Sequence, residues 1–311
     1  CFERLCTRTA GLSDDEYASS GKVLTWEDIA GPDGTKEISV ESVMKELDSF
    51  VGMESVKKAL RDLAEEMRFQ QRRMEFGGKA SIRPVNIILT GNPGTGKTSV
   101  ARVLGKLFKA MGICSTDRVI EKSRKDIVST YANESDKNMD KAVNEAMGGV
   151  LFIDEAYQLV EGGEKDFGRI VMNSLLTELG RDNLDMVVIL AGYTAPMKKL
   201  LESNEGIESR FPNVFNFEDY TTEELLEIGK LMIRKQGFNL TKGAEQNMMT
   251  IIQTESEKPS PRFGNGRFVS NLLQNEILAT LGARTSKMEN PTAEDLSTIL
   301  PEDVVIGKKQ K

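Results

Sequence analysis

The stretch Gly91-Asn92-Pro93-Gly94-Thr95-Gly96-Lys97-Thr98 decides the fold of this chain. It matches the pattern G-x-x-x-x-G-K-[ST], whose glycines let successive backbone N–H groups point at the phosphates of a nucleotide. An apolar run, Val85–Leu89, precedes it, and a helical pattern over Lys97–Met111 follows, as a phosphate loop between a strand and a helix requires. The sequence therefore predicts an ATP-binding loop, whose contact residues are Asn92, Pro93, Gly94, Thr95, Gly96, Lys97 and Thr98.

Two acidic residues end a second apolar run, Val150-Leu151-Phe152-Ile153-Asp154-Glu155. Open α/β sheets place their sites at the carboxyl ends of the strands, so these carboxylates are expected beside the phosphate loop. We predict that Asp154 holds Mg²⁺ through water, together with the hydroxyl of Thr98. Lys97 is predicted to reach the β- and γ-phosphates, and Glu155 to orient or deprotonate the attacking water.

Short apolar runs alternate with helical patterns between residues 85 and 217, which predicts a parallel sheet with helices on both faces. After Tyr220 the strand signals stop, and helical patterns predict a bundle over residues 222–236, 242–255 and 266–283. The predicted fold class is therefore α/β, a P-loop NTPase sheet followed by a smaller α-helical lid domain. The predicted domain limits are 1–44 for an N-terminal extension or linker, 45–220 for the nucleotide-binding domain and 221–311 for the lid.

Composition narrows the chemistry that this chain can perform. None of its 311 residues is histidine, which excludes Ser-His-Asp catalysis and His-containing zinc sites within this sequence. The three cysteines, Cys1, Cys6 and Cys114, are too few for a Cys₄ zinc site. Their small, odd number favours a reducing compartment, which we expect to be the cytoplasm or another intracellular one.

Charge and hydropathy narrow the range of partners. A formal net charge of −7, with basic residues interleaved among acids, disfavours nucleic acid as the main partner. The apolar runs are far shorter than the ~18 residues of a membrane span, so no span is predicted. A first residue that is cysteine rather than methionine is compatible with a piece of a longer protein or with a processed form.

The motifs quoted above resemble those of one protein family. A phosphate loop between strand and helix, an Ile-Asp-Glu strand end and a trailing helical bundle together resemble AAA+ ATPases. The stretches Gly148-Gly149-Val150-Leu151-Phe152-Ile153-Asp154-Glu155-Ala156-Tyr157 and Val187-Val188-Ile189-Leu190-Ala191-Gly192-Tyr193 are similar to the CbbX/CfxQ branch. That branch includes red-type rubisco activases, the sporulation protein SpoVK and the ATPase domains of EccA secretion proteins. The resemblance covers roughly residues 45–300 and implies a Mg·ATP hydrolase that assembles with itself into a ring, as a hexamer.

The resemblance also implies roles for single residues. Thr194, after the strand that ends at Leu190-Ala191, corresponds to the sensor of the γ-phosphate, with Tyr193 as the alternative. Arg210, in Ser209-Arg210-Phe211, corresponds to the arginine finger, which reaches the ATP of the next subunit and stabilises transition-state charge.

Three more regions carry implied contacts. Arg267, in Gly264-Asn265-Gly266-Arg267, corresponds to the second sensor, which touches the γ-phosphate of its own subunit. Val51 and Gly52 resemble the loop that covers the adenine. Tyr131 stands at the position of the pore loop, which contacts the substrate and usually reads aromatic, aliphatic, glycine. Here Ala132 and Asn133 replace the last two residues, so threading of a peptide and local packing of the tyrosine both remain open.

Three functions from different classes fit these residues. The first is a ring-forming ATPase that remodels an unidentified protein client. The alternative is a nucleotide-switched scaffold, which assembles on ATP and recruits partners with little turnover; the intact Asp154-Glu155 pair disfavours it. The third is a nucleic-acid motor or clamp loader, which the acidic charge and the CbbX-like stretches disfavour.

Overall fold

A parallel sheet forms the centre of the larger domain. The computed structural model describes residues 38–77, 84–162, 167–181, 184–202, 205–258 and 263–305, and within these ranges five strands form this sheet in the order β2-β3-β4-β1-β5. They are β1 (Ile87–Gly91), β2 (Val119–Lys122), β3 (Val150–Ile153), β4 (Val187–Gly192) and β5 (Asn213–Phe217). Because β1 pairs with β4 on one side and β5 on the other, the phosphate loop leaves the sheet from an inner strand.

Helices cover both faces of this sheet, as the alternation of strand and helix patterns predicted. On β1, Ile87 and Leu89 are buried on one face and Ile88 on the other, the two-residue period of a strand with a core on each side. The helices of the first face are α1 (Val40–Asp48), α2 (Glu54–Glu75) and α3 (Lys97–Ala110). On the second side follow α4 (Arg124–Ile127), α5 (Ala132–Ala146), α6 (Gly168–Glu178), α7 (Thr194–Glu202) and α8 (Glu205–Arg210).

Helix α1 crosses residue 44, the predicted end of the N-terminal extension. Its Val43 and Leu47 are buried against the first face of the sheet domain. Cys1, Cys6 and residues 1–37 of the extension lie outside the described part of the chain. Because the structure does not describe residues 1–37, the predicted limits of the extension and the two domains stay predictions.

A separate, third hydrophobic core holds the lid together and includes Leu225, Met248 and Leu273. The lid contains α9 (Thr222–Lys235), α10 (Lys242–Ser256), α11 (Gly266–Asn271), α12 (Leu278–Thr285) and α13 (Ala293–Ser297), with a π-helical turn over Leu272–Ile277 and a 3₁₀ turn over Pro301–Asp303. Helix α9 begins with a capping box, in which the backbone N–H of Glu224 donates to the hydroxyl of Thr221 and the carboxylate of Glu224 accepts from the Thr221 N–H.

The prediction that strands stop after Tyr220 was wrong. In the lid, β6 (Asn239–Leu240) pairs in parallel with β7 (Thr298–Ile299). Strands of two residues are too short to show the alternation by which a strand is recognised in a sequence. Among the described helices, none is both long and apolar enough to cross a membrane.

Candidate nucleotide site

The phosphate loop connects the last residue of β1, Gly91, to the first of α3, Lys97. Gly94 and Gly96 have φ angles of 74° and 98°, in the left-handed region that favours glycine. A Cβ built at Gly94 would come within 2.1 Å of the carbonyl oxygen of Gly264, a residue of the lid. The backbone N–H of Gly266 donates to the carbonyl of Gly94 over 3.1 Å. The loop thus lies directly against the lid.

Lys97 points back into this loop. Its Nζ donates hydrogen bonds to the carbonyl oxygens of Gly91 at 2.8 Å and Asn92 at 2.7 Å. Burial lowers the pKa of Lys97 to about 8, the nearby Arg267 lowers it too, and the carboxylate of Asp154 opposes the change. An ammonium beside a helix N-terminus and a glycine loop suits a polyphosphate anion.

A cavity of about 500 Å³ opens between the sheet domain and the lid, a size that small-molecule sites commonly have. The structure brings most of the predicted contact residues together in its wall. These are Val51, Pro93, Gly94, Gly96, Lys97, Thr98, Asp154, Glu155 and Arg267.

Sequence reasoning missed the apolar part of this wall. Helix α9 contributes Ile228, Leu231 and Met232, and the segment before α2 contributes Phe50 and Met53. The spacing of three and four residues along α9 is the signal that could have found them, but the same spacing also describes a helix face buried in the lid core. Apolar side chains opposite a phosphate loop suit the flat face of a nucleotide base. Tyr220, Lys235 and Ser270 also line the cavity.

Three residues of the phosphate loop and the adenine loop lie outside the lining formed by the described residues, and they shape these loops instead. The amide nitrogen of Asn92 donates to Asp219 at 2.9 Å. The buried hydroxyl of Thr95 donates to the carbonyl of Asn92 at 2.8 Å. Gly52, with a φ of 63°, leaves room for the carboxylate of Glu224, which a Cβ would approach within 2.4 Å.

Asp154 and Glu155 directly follow the end of β3, and both line the cavity. The backbone N–H of Glu155 donates to Oδ1 of Asp154 at 3.0 Å, and Glu155 itself is left-handed, with φ 49° and ψ 42°. Among the described residues, no group of three or more acidic or cysteine side chains forms a metal cluster. Asp154 and Thr98 nevertheless fit Mg²⁺, since this ion is usually held by one or two protein oxygens, phosphate oxygens and water.

The two sensor candidates after β4 take different positions. Tyr193 lines the cavity. Thr194, the first residue of α7, donates from its hydroxyl to Oδ1 of Asn216 at 3.3 Å. The hydroxyl of Thr90 donates to the same oxygen at 3.0 Å. Thr194 therefore belongs to a polar cluster that joins the ends of β1, β4 and β5.

The two arginines and the tyrosine to which the resemblance gives roles lie in different surroundings. Arg267, on α11, faces the cavity, and its exposed charge acts on Lys97. Arg210 ends α8 outside the described lining of the cavity, and its Nη1 donates to the carbonyl of Gly206 at 3.2 Å. Tyr131 precedes α5 with 66% of its surface exposed, so local packing does not cover it within the described part of the chain.

Comparison with known proteins agrees with this geometry. The family described as "ATPase family associated with various cellular activities (AAA)" matches residues 87–219, and the "AAA lid domain" matches residues 221–311. Stage V sporulation protein K of Bacillus subtilis is 36% identical over 271 residues, which cover 87% of this chain and 84% of that protein. The chloroplastic ribulose bisphosphate carboxylase/oxygenase activase of Cyanidioschyzon merolae is 36% identical over 279 residues, 87% of this chain and 92% of that protein.

A solved structure supports the fold alone. The crystal structure of the FIGL-1 AAA domain superimposes with a TM-score of 0.56 at 18% identity, over 83% of this chain and 80% of that one. Three findings indicate the same family. They are the sequence identity above 30% over most of both chains, the phosphate loop against a lid, and the acidic pair at the end of β3. The chain belongs to the AAA ATPases, as an ATP-hydrolysing member of the CbbX/CfxQ and SpoVK branch.

Proposed function

We propose that this ATPase remodels a protein client and that it works as a ring-shaped oligomer, a hexamer. The observation that carries this proposal is the position of Arg210. Its side chain lies beside α6 and outside the described lining of its own cavity, and its Nε is buried with no hydrogen-bond partner among the described residues. Because this guanidinium does not reach the cavity of its own subunit, its charge can serve the ATP of a neighbouring subunit, through the Nη groups since Nε is buried.

Within one subunit, the residues around the cavity have separate roles in binding ATP and in its hydrolysis. Lys97 binds the β- and γ-phosphates, and Arg267 contacts the γ-phosphate from the lid. Asp154 and Thr98 would hold Mg²⁺, which, when bound, neutralises phosphate charge. Glu155 accepts a hydrogen bond from the attacking water and orients it. Either Thr194 or Tyr193 senses the γ-phosphate, and the loop of Val51 and Gly52 covers the adenine, with Val51 in the cavity wall.

A protein client is supported by the surface around Tyr131. The ring is exposed before α5, and an aromatic face can contact a peptide. A net charge of −7 disfavours nucleic acid. The name of one relative, an activase of ribulose bisphosphate carboxylase/oxygenase, designates a protein that acts on another protein. The low cysteine content further supports a reducing compartment such as the cytoplasm.

The experiment that tests the ring is ATP hydrolysis measured against protein concentration. We expect the specific activity of the wild type to rise with concentration, because each site is completed by a neighbour. Arg210→Ala should abolish hydrolysis and keep ATP binding. Arg234→Ala is the matched control, since Arg234 lies on α9 with 64% of its side chain exposed. Activity independent of both concentration and Arg210 would refute the shared site.

Two measurements distinguish the remodelling ATPase from the alternative, a nucleotide-switched scaffold. They are the turnover number and the client retained by a trapping variant. Glu155→Gln should bind ATP without turnover and hold its client. A protein that is retained with ATP and lost with ADP is the partner expected by both functions, and stimulation of wild-type hydrolysis by that protein supports remodelling. Negligible hydrolysis by the wild type in the presence of that protein would favour the scaffold, and recovery of nucleic acid alone would exclude a protein client.

A further inference from the structure

The turn after β3 holds the carboxylate of Glu155 through Gln158, a residue outside the described lining of the cavity. The side-chain amide of Gln158 donates from Nε2 to Oε2 of Glu155 over 2.5 Å. The backbone N–H of Gln158 also donates to the carbonyl of Glu155, at 2.9 Å. Gln158 thus contacts the same residue twice, once through its backbone and once through its side chain.

The backbone of this turn is fixed from two sides. Tyr157 is buried, and its ring lies 5.8 Å from that of Tyr193 at the end of β4. On the other side, Nη1 of Arg124 donates to the carbonyl of Gln158 at 2.6 Å. Leu159, which follows, is fully buried. With its neighbours held in this way, Gln158 can place its amide on Glu155 without moving the main chain.

We propose that Gln158 is a positioning residue for hydrolysis, which holds one oxygen of the Glu155 carboxylate so that the other is presented to the attacking water. The inference rests on the proposed role of Glu155. An ionised carboxylate only accepts hydrogen bonds, and an uncharged amide can donate one without adding charge beside the phosphates. Gln158 lies outside the described lining of the cavity, so it acts through Glu155 and not on ATP.

Gln158→Met tests this inference, because methionine has a similar length and lacks the amide. We expect kcat to fall by up to about 100-fold, as it does when a catalytic group is misplaced by about 1 Å, while the Kd for ATP and the Tm stay unchanged. Gln246→Met, at an exposed position of α10, is the matched control and should leave kcat unchanged. A wild-type kcat for Gln158→Met would overturn the inference.

A double-mutant cycle separates positioning from a merely structural effect. Single-turnover experiments measure the slow residual hydrolysis that remains in Glu155→Gln when multiple turnover is lost, and adding Gln158→Met should cause no further loss of this rate, since the residue that it positions has been replaced. A second, multiplicative loss would assign Gln158 a role apart from Glu155 and overturn the inference. Wild-type turnover by Glu155→Gln itself would instead refute the proposed role of Glu155, so the two failures are distinguishable.

Discussion

Asn265 donates a hydrogen bond from its side-chain amide to the carbonyl oxygen of Pro93, at 3.3 Å and across 172 positions of the sequence. The same amide nitrogen donates to Oδ1 of Asp219 at 2.7 Å, and the amide oxygen accepts from the backbone N–H of Tyr220 at 3.0 Å. Asn265 is fully buried. A single side chain therefore joins the phosphate loop, the connection between the domains and the lid.

Replacing Asn265 should loosen this junction. Asn265→Ala removes the three contacts and leaves buried groups unpaired, so we expect a loss of about 2–3 kcal/mol in the free energy of unfolding and weaker ATP binding. Asn265 also has φ 46° and ψ −127°, a conformation that glycine adopts more easily. Asn265→Gly loses the same amide and should be about 1 kcal/mol more stable than Asn265→Ala. Urea unfolding and ATP titration of both variants measure these differences; equal stability of all three proteins would contradict the prediction.

The sequence predicted local features of the molecule well and distant pairings poorly. The phosphate loop and β3 were recognised because their residues are contiguous and carry a pattern of their own. The role of Asn265 was missed, because its partner Pro93 lies 172 positions away and nothing in Gly264-Asn265-Gly266-Arg267 reveals a buried amide. The contact between Gln158 and Glu155 was missed for another reason: three residues separate them, but only a 3₁₀ turn brings the two side chains together.

Lys97 should take up a proton when ATP binds near neutral to alkaline pH. Its pKa in the free protein is about 8, lowered from 10.5 chiefly by burial, and the negative phosphates favour the ammonium form. At pH 8 we therefore expect an uptake of about half a proton per site, falling toward zero at about pH 6. Calorimetry in two buffers of different ionisation enthalpy measures this uptake. Lys97→Arg is the control, because a guanidinium stays protonated throughout.

The same lowered pKa has a consequence for folding. The unfolded chain keeps the Lys97 proton up to about pH 10.5, whereas the folded chain releases it from about pH 8. The contribution of Lys97 to stability therefore rises with pH across this window, by linkage. In the ATP titration described above, proton uptake that is equal in the wild type and in Lys97→Arg would show that a group other than Lys97 titrates.

Cys114 should be unreactive in the folded protein. Its Sγ donates to the carbonyl of Gly149 at 3.3 Å, and burial raises the pKa of the thiol from 9.0 to about 12. Only the thiolate attacks a disulfide reagent. In a Cys1→Ser/Cys6→Ser background, we expect no thiol to react in the native state and one to react in urea. Moving the thiol one residue, as Cys114→Ser with Ser115→Cys, places it at an exposed position and should restore reaction.

Linkage gives the pH dependence of this thiol. Because the folded pKa is raised, the contribution of Cys114 to stability is complete below about pH 9 and is lost as the pH rises toward 12. Cys114→Ala should therefore flatten the decline of stability in that alkaline window. Rapid reaction of native Cys114 at neutral pH would show that the segment after α3 opens.

The ion pair between Arg284 and Asp303 should stabilise the lid far more than its neighbour does. Asp303 is buried and accepts from Nε of Arg284 at 2.9 Å and from the backbone N–H of Leu300 at 2.9 Å. Asp303→Ala leaves the guanidinium, only 14% exposed, without its carboxylate, so we expect a loss of about 3–5 kcal/mol in the unfolding free energy. Glu302→Ala removes the adjacent charge, which is 67% exposed and 3.9 Å from Arg284, and should cost less than about 1 kcal/mol. Denaturant unfolding measures the free energy of unfolding of both variants. Equal losses would show that the burial of Asp303 adds nothing to the stability that the ion pair supplies.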